Sequence, residues 1–196
     1  MIVYNGVNVN RFISPIKDMS IQQHFVITMV ASLSVAKDQD TLIRAMAQLP
    51  VNYSLQLVGD GPRRGELEKL IAELHLAERV RLLGIRTDIP GILAGSDVIV
   101  LSSHWEGLSL SSIEGMASGR PFIASDVDGL REIVKGNGVL FPHQDYNALA
   151  SAIQQLCENP IEYRKVAERC QAKAKQYDIS MMAKKYNEVY RKIFNL

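Results

Sequence analysis

Cysteine and histidine are scarce in this chain, two of one and four of the other in 196 residues. Cys157 and Cys170 fall in helical patterns at a spacing that matches no metal or redox motif, so they read as buried or idle thiols and supply no secretory disulfide framework. His24, His75 and His143 are scattered, which argues against a protein-held metal, and none is expected. Charge of one sign is also missing. Lys and Arg number 22 against 21 for Asp and Glu, a formal net charge of +1, so no broad basic surface steers the chain to nucleic acid. No apolar run approaches the roughly eighteen residues of a spanning helix. The start, MIVYNGVNVNRF, has neither the basic nor the apolar segment of a signal peptide, so the expected location is the cytoplasm.

What is present is hydrophobic matter for one well-buried globular domain, 47% of the residues. There is no internal repeat and no low-complexity segment. From His24 onward short apolar runs alternate with amphipathic segments, the pattern of a parallel sheet with helices on its faces. Strands are expected at Phe25–Val30, Ser54–Val58, Val80–Leu83, Val98–Leu101, Phe122–Ala124 and Gly138–Leu140. Helices are expected between them at Asp40–Gln48, Arg63–His75, Ile89–Ala94, Leu110–Ala117 and Leu130–Val134. After Pro142 the pattern is all helix: Tyr146–Cys157, Ile161–Ala174 with Asn159 as its cap, and Ser180–Phe194. The fold class is therefore α/β, a doubly wound Rossmann-like parallel sheet of about six strands with flanking helices and a helical C-terminal extension. The last helix is basic and amphipathic, suited to docking on this domain, on a partner domain or on a membrane surface.

The chain is organised around VIVLSSHWEGLSLSSIEGMASG, Val98 to Gly119, which reads as strand, loop and helix. Glu106 lies in the loop and Glu114 in the helix, with the unpaired amides of the helix N-terminus between them. Those amides favour an anion, most often phosphate, and a nearby carboxylate accepts hydrogen bonds from both hydroxyls of a sugar diol. Phosphate and diol together point to a nucleotide sugar.

Three more loops follow strands, where ligands of such sheets bind. Lys37 in ASLSVAKDQD is a mobile cation ahead of a helix, suited to a diphosphate. In GDGPRRG, Gly59 and Gly61 permit a sharp turn and a close approach to a ligand, and Arg63 or Arg64 offers charge to a phosphate. In GIRTD a nucleobase has room, with Arg86 as a flat cover and Thr87 and Asp88 as caps for the next helix.

Each feature also has a plainer reading. Lys37 suits ordinary surface, the glycines ordinary turn chemistry, and an acid near a helix start the dipole alone. A dinucleotide fingerprint fails at GDGPRRG because the spacing after Gly61 is one residue too long and no acid ends the next strand. A triad of Ser102 or Ser103 with His104 and Glu106 is disfavoured, since such close neighbours cannot easily point at one another.

Taken together, these segments closely resemble the carboxy-terminal, donor-binding half of retaining glycosyltransferases of the GT-B fold, over nearly the whole chain. NGVNVNRF resembles that family's interdomain linker, ASLSVAKDQDTLIRA its phosphate loop, and EGLSLSSIEGMASGRP its most specific signature. The resemblance implies that Lys37 neutralises the donor diphosphate and Glu114 holds the ribose hydroxyls. It implies that Glu106, with the amides of Gly107, Leu108 and Ser109, grips the transferred sugar and distal phosphate. Gly84, Ile85 and Arg86 would receive the base. Transfer in the family proceeds with retention, usually without a metal, from a nucleotide-diphosphate sugar that is UDP- or GDP-linked.

The implied domains are a linker at 1–20, a nucleotide-sugar-binding domain at 21–178 and an amphipathic helix at 179–196. The family's amino-terminal domain, which binds the glycan or lipid acceptor, is expected to be missing from these 196 residues, so the chain alone is expected to bind donor weakly and transfer nothing. The expected product is a hexose-type linkage in cell-surface polysaccharide, with the whole enzyme peripherally attached to the inner face of the membrane. Three departures bear on this. Ser32 stands where the family commonly has arginine, which removes one diphosphate contact, and Ser109 and Gly115 replace glycine and alanine, which is expected to reshape the sugar pocket. Two other readings stay open: a GT-B-type nucleotide-sugar epimerase half, and a non-catalytic interaction module of flavodoxin-like architecture.

Overall fold

The computed structural model describes residues 3–19 and 23–194. Six parallel strands form one sheet in the order β3-β2-β1-β4-β5-β6. They are β1 (Phe25–Val30), β2 (Tyr53–Val58), β3 (Val80–Gly84), β4 (Val98–Leu101), β5 (Phe122–Ser125) and β6 (Val139–Phe141). β4 and β5 are buried at all four positions, as expected of strands covered on both faces. The helices are α1 (Gln39–Gln48), α2 (Arg64–Glu73), α3 (Ile89–Gly95), α4 (Leu110–Ala117), α5 (Leu130–Val134), α6 (Tyr146–Glu158), α7 (Pro160–Ala174) and α8 (Ile179–Phe194). All six expected strands and all eight expected helices are present. The largest boundary difference is at α2, which stops at Glu73, and the chain turns at His75 with a φ of 55°.

Strand order reverses direction between β1 and β4, which pair through Ile27 with Val98 and Thr28 with Ile99. The carboxyl ends of this pair are the switch point, the place at which ligands of open α/β sheets bind. The lower end of the same pair is held by Asp97, fully buried, whose carboxylate accepts from the Val26 amide at 2.7 Å and from Lys17 at 2.5 Å.

α4 is set by its core face. Ile113, Met116 and Ala117 are fully buried, and burying a side chain of the size of Ile or Met contributes about 1.5–3 kcal/mol. Ser109 caps it, accepting from the Ser112 amide at 3.4 Å. Gly115 faces the sheet: a Cβ there would stand 2.8 Å from the Phe122 ring and 2.9 Å from Ile99. It therefore does not line a pocket, and the expectation that Gly115 reshapes the sugar site is corrected.

The segment before β1 packs on the domain. Val7, Val9, Phe12 and Met19 are buried. The buried Arg120 guanidinium gathers it in, donating to Pro15 O at 2.8 Å, Ser96 O at 2.8 Å and Gly119 O at 3.0 Å. α6 packs against α1 and α7 against α4. α8 behaves otherwise: Tyr186, Tyr190 and Ile193 on its apolar side are 41%, 54% and 64% exposed. Among the described residues no helix is long and apolar enough to cross a membrane.

Candidate functional site

The switch point brings the loops after β1 and β4 together. Lys37 Nζ meets Glu106 Oε1 at 2.5 Å, across 69 residues of sequence. Ser103 Oγ donates to the same oxygen at 2.7 Å. The loops are stitched by Ser102 Oγ, which donates to Asp38 O at 2.7 Å, and by the His104 amide, which donates to Ala36 O at 2.9 Å. Ser125 Oγ adds a bond from the end of β5 to Ser103 O at 2.6 Å. Behind Glu106 stands Gly129, with φ of 83°, where a Cβ would fall 2.2 Å from Glu106 O. Among the described residues no serine bonds the His104 ring, whose neighbours are His143 and Asp38, so geometry as well as spacing is against the triad.

Glu114 lies one turn into α4, half-buried, with no hydrogen bond among the described residues. Burial pushes its carboxyl above the ordinary carboxylate range, and Arg11, in the turn Val9–Arg11, pulls it part of the way back. A half-buried carboxylate without a donor is a group prepared for one. Gly107 is exposed and Leu108 half-buried between the two acids, with Ser109 buried at the cap.

The remaining candidates are placed differently. Gly59 has φ of 129° and a Cβ there would lie 2.1 Å from Ala31 O; at Gly61 it would lie 2.4 Å from Leu33 O. Both glycines thus admit the backbone of the β1 loop, which fixes its shape. Arg63 is turned to Asp40 and Glu66, and Arg64 to Glu68 at 3.0 Å, so neither presents an unpaired charge. Gly84 turns the chain at φ of 68° with open space beside it, and Ile85 is 82% exposed. Arg86 folds onto Asp88 with bonds of 2.8 and 2.7 Å. Asp88 consequently makes no cap bond to α3, against expectation.

Three contacts escaped the sequence reading. Ser103 orders Glu106, and Gln39, fully buried, donates to Ser32 O at 2.8 Å while its own Oε1 has no partner among the described residues. The third is made by His143. It is not isolated: its Nε2 lies 2.7 Å from His104 Nδ1, which corrects the view of the histidines as scattered. A sequence signal for these exists only in their position, each one to three residues beyond a strand or beside a loop already singled out.

Residues 14–177 match the family described as glycosyl transferases group 1. The chain belongs to that family. This group 1 transferase domain is 38% identical over 121 residues to the lipopolysaccharide core biosynthesis glycosyltransferase LpsD of Rhizobium meliloti, covering 61% of this chain and 35% of that protein. It is 30% identical over 176 residues to the Escherichia coli UDP-Gal:alpha-D-GlcNAc-diphosphoundecaprenol alpha-1,3-galactosyltransferase, covering 82% of this chain and 46% of that one. The crystal structure of Anabaena HepE in complex with UDP-glucose superposes with a TM-score of 0.89 at 30% identity, covering 98% of this chain and 57% of that one. The transferase domain spans about half the length of such relatives. Its sheet and flanking helices are the Rossmann-like architecture of GT-B glycosyltransferases.

Proposed function

We propose that this domain is the donor half of a retaining hexosyltransferase that uses a UDP-sugar and acts on a glycan or lipid acceptor of cell-surface polysaccharide. The observation that carries the reading is Glu114, a half-buried carboxylate without a hydrogen-bond donor beside the N-terminus of α4. A ribose diol offers it two donors. The preference for uridine over guanosine rests on the HepE complex with UDP-glucose.

In this reading the diphosphate enters the crevice between the β1 and β4 loops. Lys37 leaves Glu106 for the phosphates, and the amides of Gly107 to Ser109 face the distal one. Charge that develops on the leaving diphosphate is met by ammonium and fixed amides, with no metal in that role. Glu106, released from Lys37 but still held by Ser103, takes up hydroxyls of the transferred sugar. The bond from the anomeric carbon to the phosphate oxygen breaks, the nucleoside diphosphate departs, and the acceptor hydroxyl bonds to that carbon on the same face, its proton passing to the leaving phosphate oxygen. Gly84 to Arg86 accept the base, with Arg86 swinging from Asp88. The acceptor is bound by a further domain, at the inner face of the membrane, and the domain alone transfers nothing.

The test is calorimetric titration of the domain with UDP, GDP and ADP, repeated on Glu114→Ala. Binding of UDP that the substitution weakens by about 1–3 kcal/mol, the scale of a buried polar group losing its partner, supports the reading. Indifference of the domain to all three nucleotides, both alone and when joined to an acceptor domain, overturns it.

A further inference from the structure

We propose that Asp38, His104 and His143 bind a divalent transition-metal ion of the zinc class. One ligand atom from each lies within 4.8 Å of the other two. The residues come from three separate places, the start of α1 and the loops after β4 and β6, so local chain geometry does not explain their meeting.

Proton placement is the argument for a cation. His104 Nδ1 is 2.7 Å from His143 Nε2 and 3.6 Å from Asp38 Oδ2. A proton on Nδ1 given to His143 leaves Asp38 Oδ2 to Thr41 alone, and one given to Asp38 leaves two bare imidazole nitrogens facing each other. A bare Nδ1 accepts from His143 but turns its lone pair toward a carboxylate. With a cation among them, all three groups point lone pairs at one positive centre.

The dimensions agree with a small ion. Tetrahedral zinc with nitrogen and oxygen bonds of about 2.0–2.1 Å sets ligand atoms about 3.3 Å apart. The two separations from His104 Nδ1 fall on either side of that value and the third, Asp38 to His143, lies within 4.8 Å, so the three groups close on the ion by shifts of about half to one and a half ångströms. Asp38 is buried and already oriented, accepting at Oδ2 from Thr41 Oγ1 at 2.7 Å, the outer-shell support usual for ligating carboxylates. Two imidazoles select zinc, cobalt, nickel or copper over magnesium and calcium.

The ion would cross-link three loops two residues ahead of Glu106. It takes no part in the transfer chemistry above and does not depend on that reading.

Metal-stripped, untagged protein titrated with Co²⁺ tests the site by visible absorption and by fluorescence of Trp105, the single tryptophan, whose ring stacks on His104 at 5.8 Å. One equivalent of Co²⁺ is expected to give a visible band and quench Trp105, Zn²⁺ to displace it, and Mg²⁺ to do neither. His143→Ala, at an exposed position, is expected to keep the circular dichroism of the parent and weaken Co²⁺ by more than about 100-fold, beyond the loss seen for outer-shell changes. Absence of the one-equivalent signal, an equal response to Mg²⁺, or undiminished binding by both His143→Ala and His104→Ala would overturn the proposal.

Discussion

Lys37 and Glu106 satisfy each other across the switch point, 2.5 Å apart with side chains 21% and 8% exposed. A diphosphate that recruits Lys37 must break this pair, so the two substitutions separate in sign. Lys37→Ala removes the cation and is expected to weaken UDP by about 1.5–3 kcal/mol, the range for a hydrogen bond to a charged group. Glu106→Gln frees Lys37 and is expected to tighten UDP while weakening the intact UDP-sugar, whose hydroxyls lose a carboxylate. Titration of both ligands against both variants checks this, and loss of UDP binding in Glu106→Gln would contradict it.

Donor binding through Glu114 is expected to be pH-dependent. Its carboxyl is raised by burial, so in the window between the ordinary carboxylate range and its raised value the native domain holds more protons than the unfolded chain. Stability therefore falls as pH rises through that window. Donor affinity runs the other way, because the diol is accepted by the ionised group: affinity rises with pH through the raised value, and binding releases a proton. Glu114→Gln is expected to flatten both curves. Calorimetry in buffers of different ionisation enthalpy measures the proton release directly.

Gly129 is the structural support of the Glu106 loop. With φ of 83° and a Cβ position 2.2 Å from Glu106 O, Gly129→Ala must both strain its own backbone and push the loop. A cost of about 1–3 kcal/mol is expected from the strained conformation. Urea denaturation gives that number, and a fall in UDP affinity beyond it marks the displaced loop. Gly136, also at positive φ but with open space beside it, is the control: alanine there strains the backbone and leaves the site intact.

The sheet was legible because its strands are buried runs that need no partner to be recognised. Val98–Leu101 is apolar at every position, and the same is nearly true of Phe25–Val30. The position of Glu106 ahead of a helix and of Glu114 within it was legible from the strand-loop-helix pattern. What escaped was pairing between distant side chains. Nothing local indicates that Arg63 closes on Asp40, 23 residues earlier, or that His104 meets His143, 39 residues later. The glycines of GDGPRRG show the same limit: their need for space was readable, but the occupant, the backbone of Ala31 to Leu33, is fixed only when β1 and β2 pair.

Gly115 and Phe122 form a matched pair in the layer beneath the site, and a double-mutant cycle exposes the match. A Cβ at residue 115 meets ring atoms of Phe122 at 2.8 and 2.9 Å, in a core where Phe122 is 1% exposed and has no room to retreat. Gly115→Ala alone gains helix propensity of about 1 kcal/mol but overpacks the core at a cost of about 1–3 kcal/mol, so the net is expected to be destabilising. Phe122→Leu alone leaves a void and is destabilising as well. Together the new methyl occupies part of that void, so the double variant is expected to be more stable than the sum of the two, by about 0.5–3 kcal/mol of coupling. Because this face of α4 is turned from Glu114 and Glu106, UDP affinity should stay unchanged throughout the cycle, and a change in affinity would place Gly115 in the donor pocket after all.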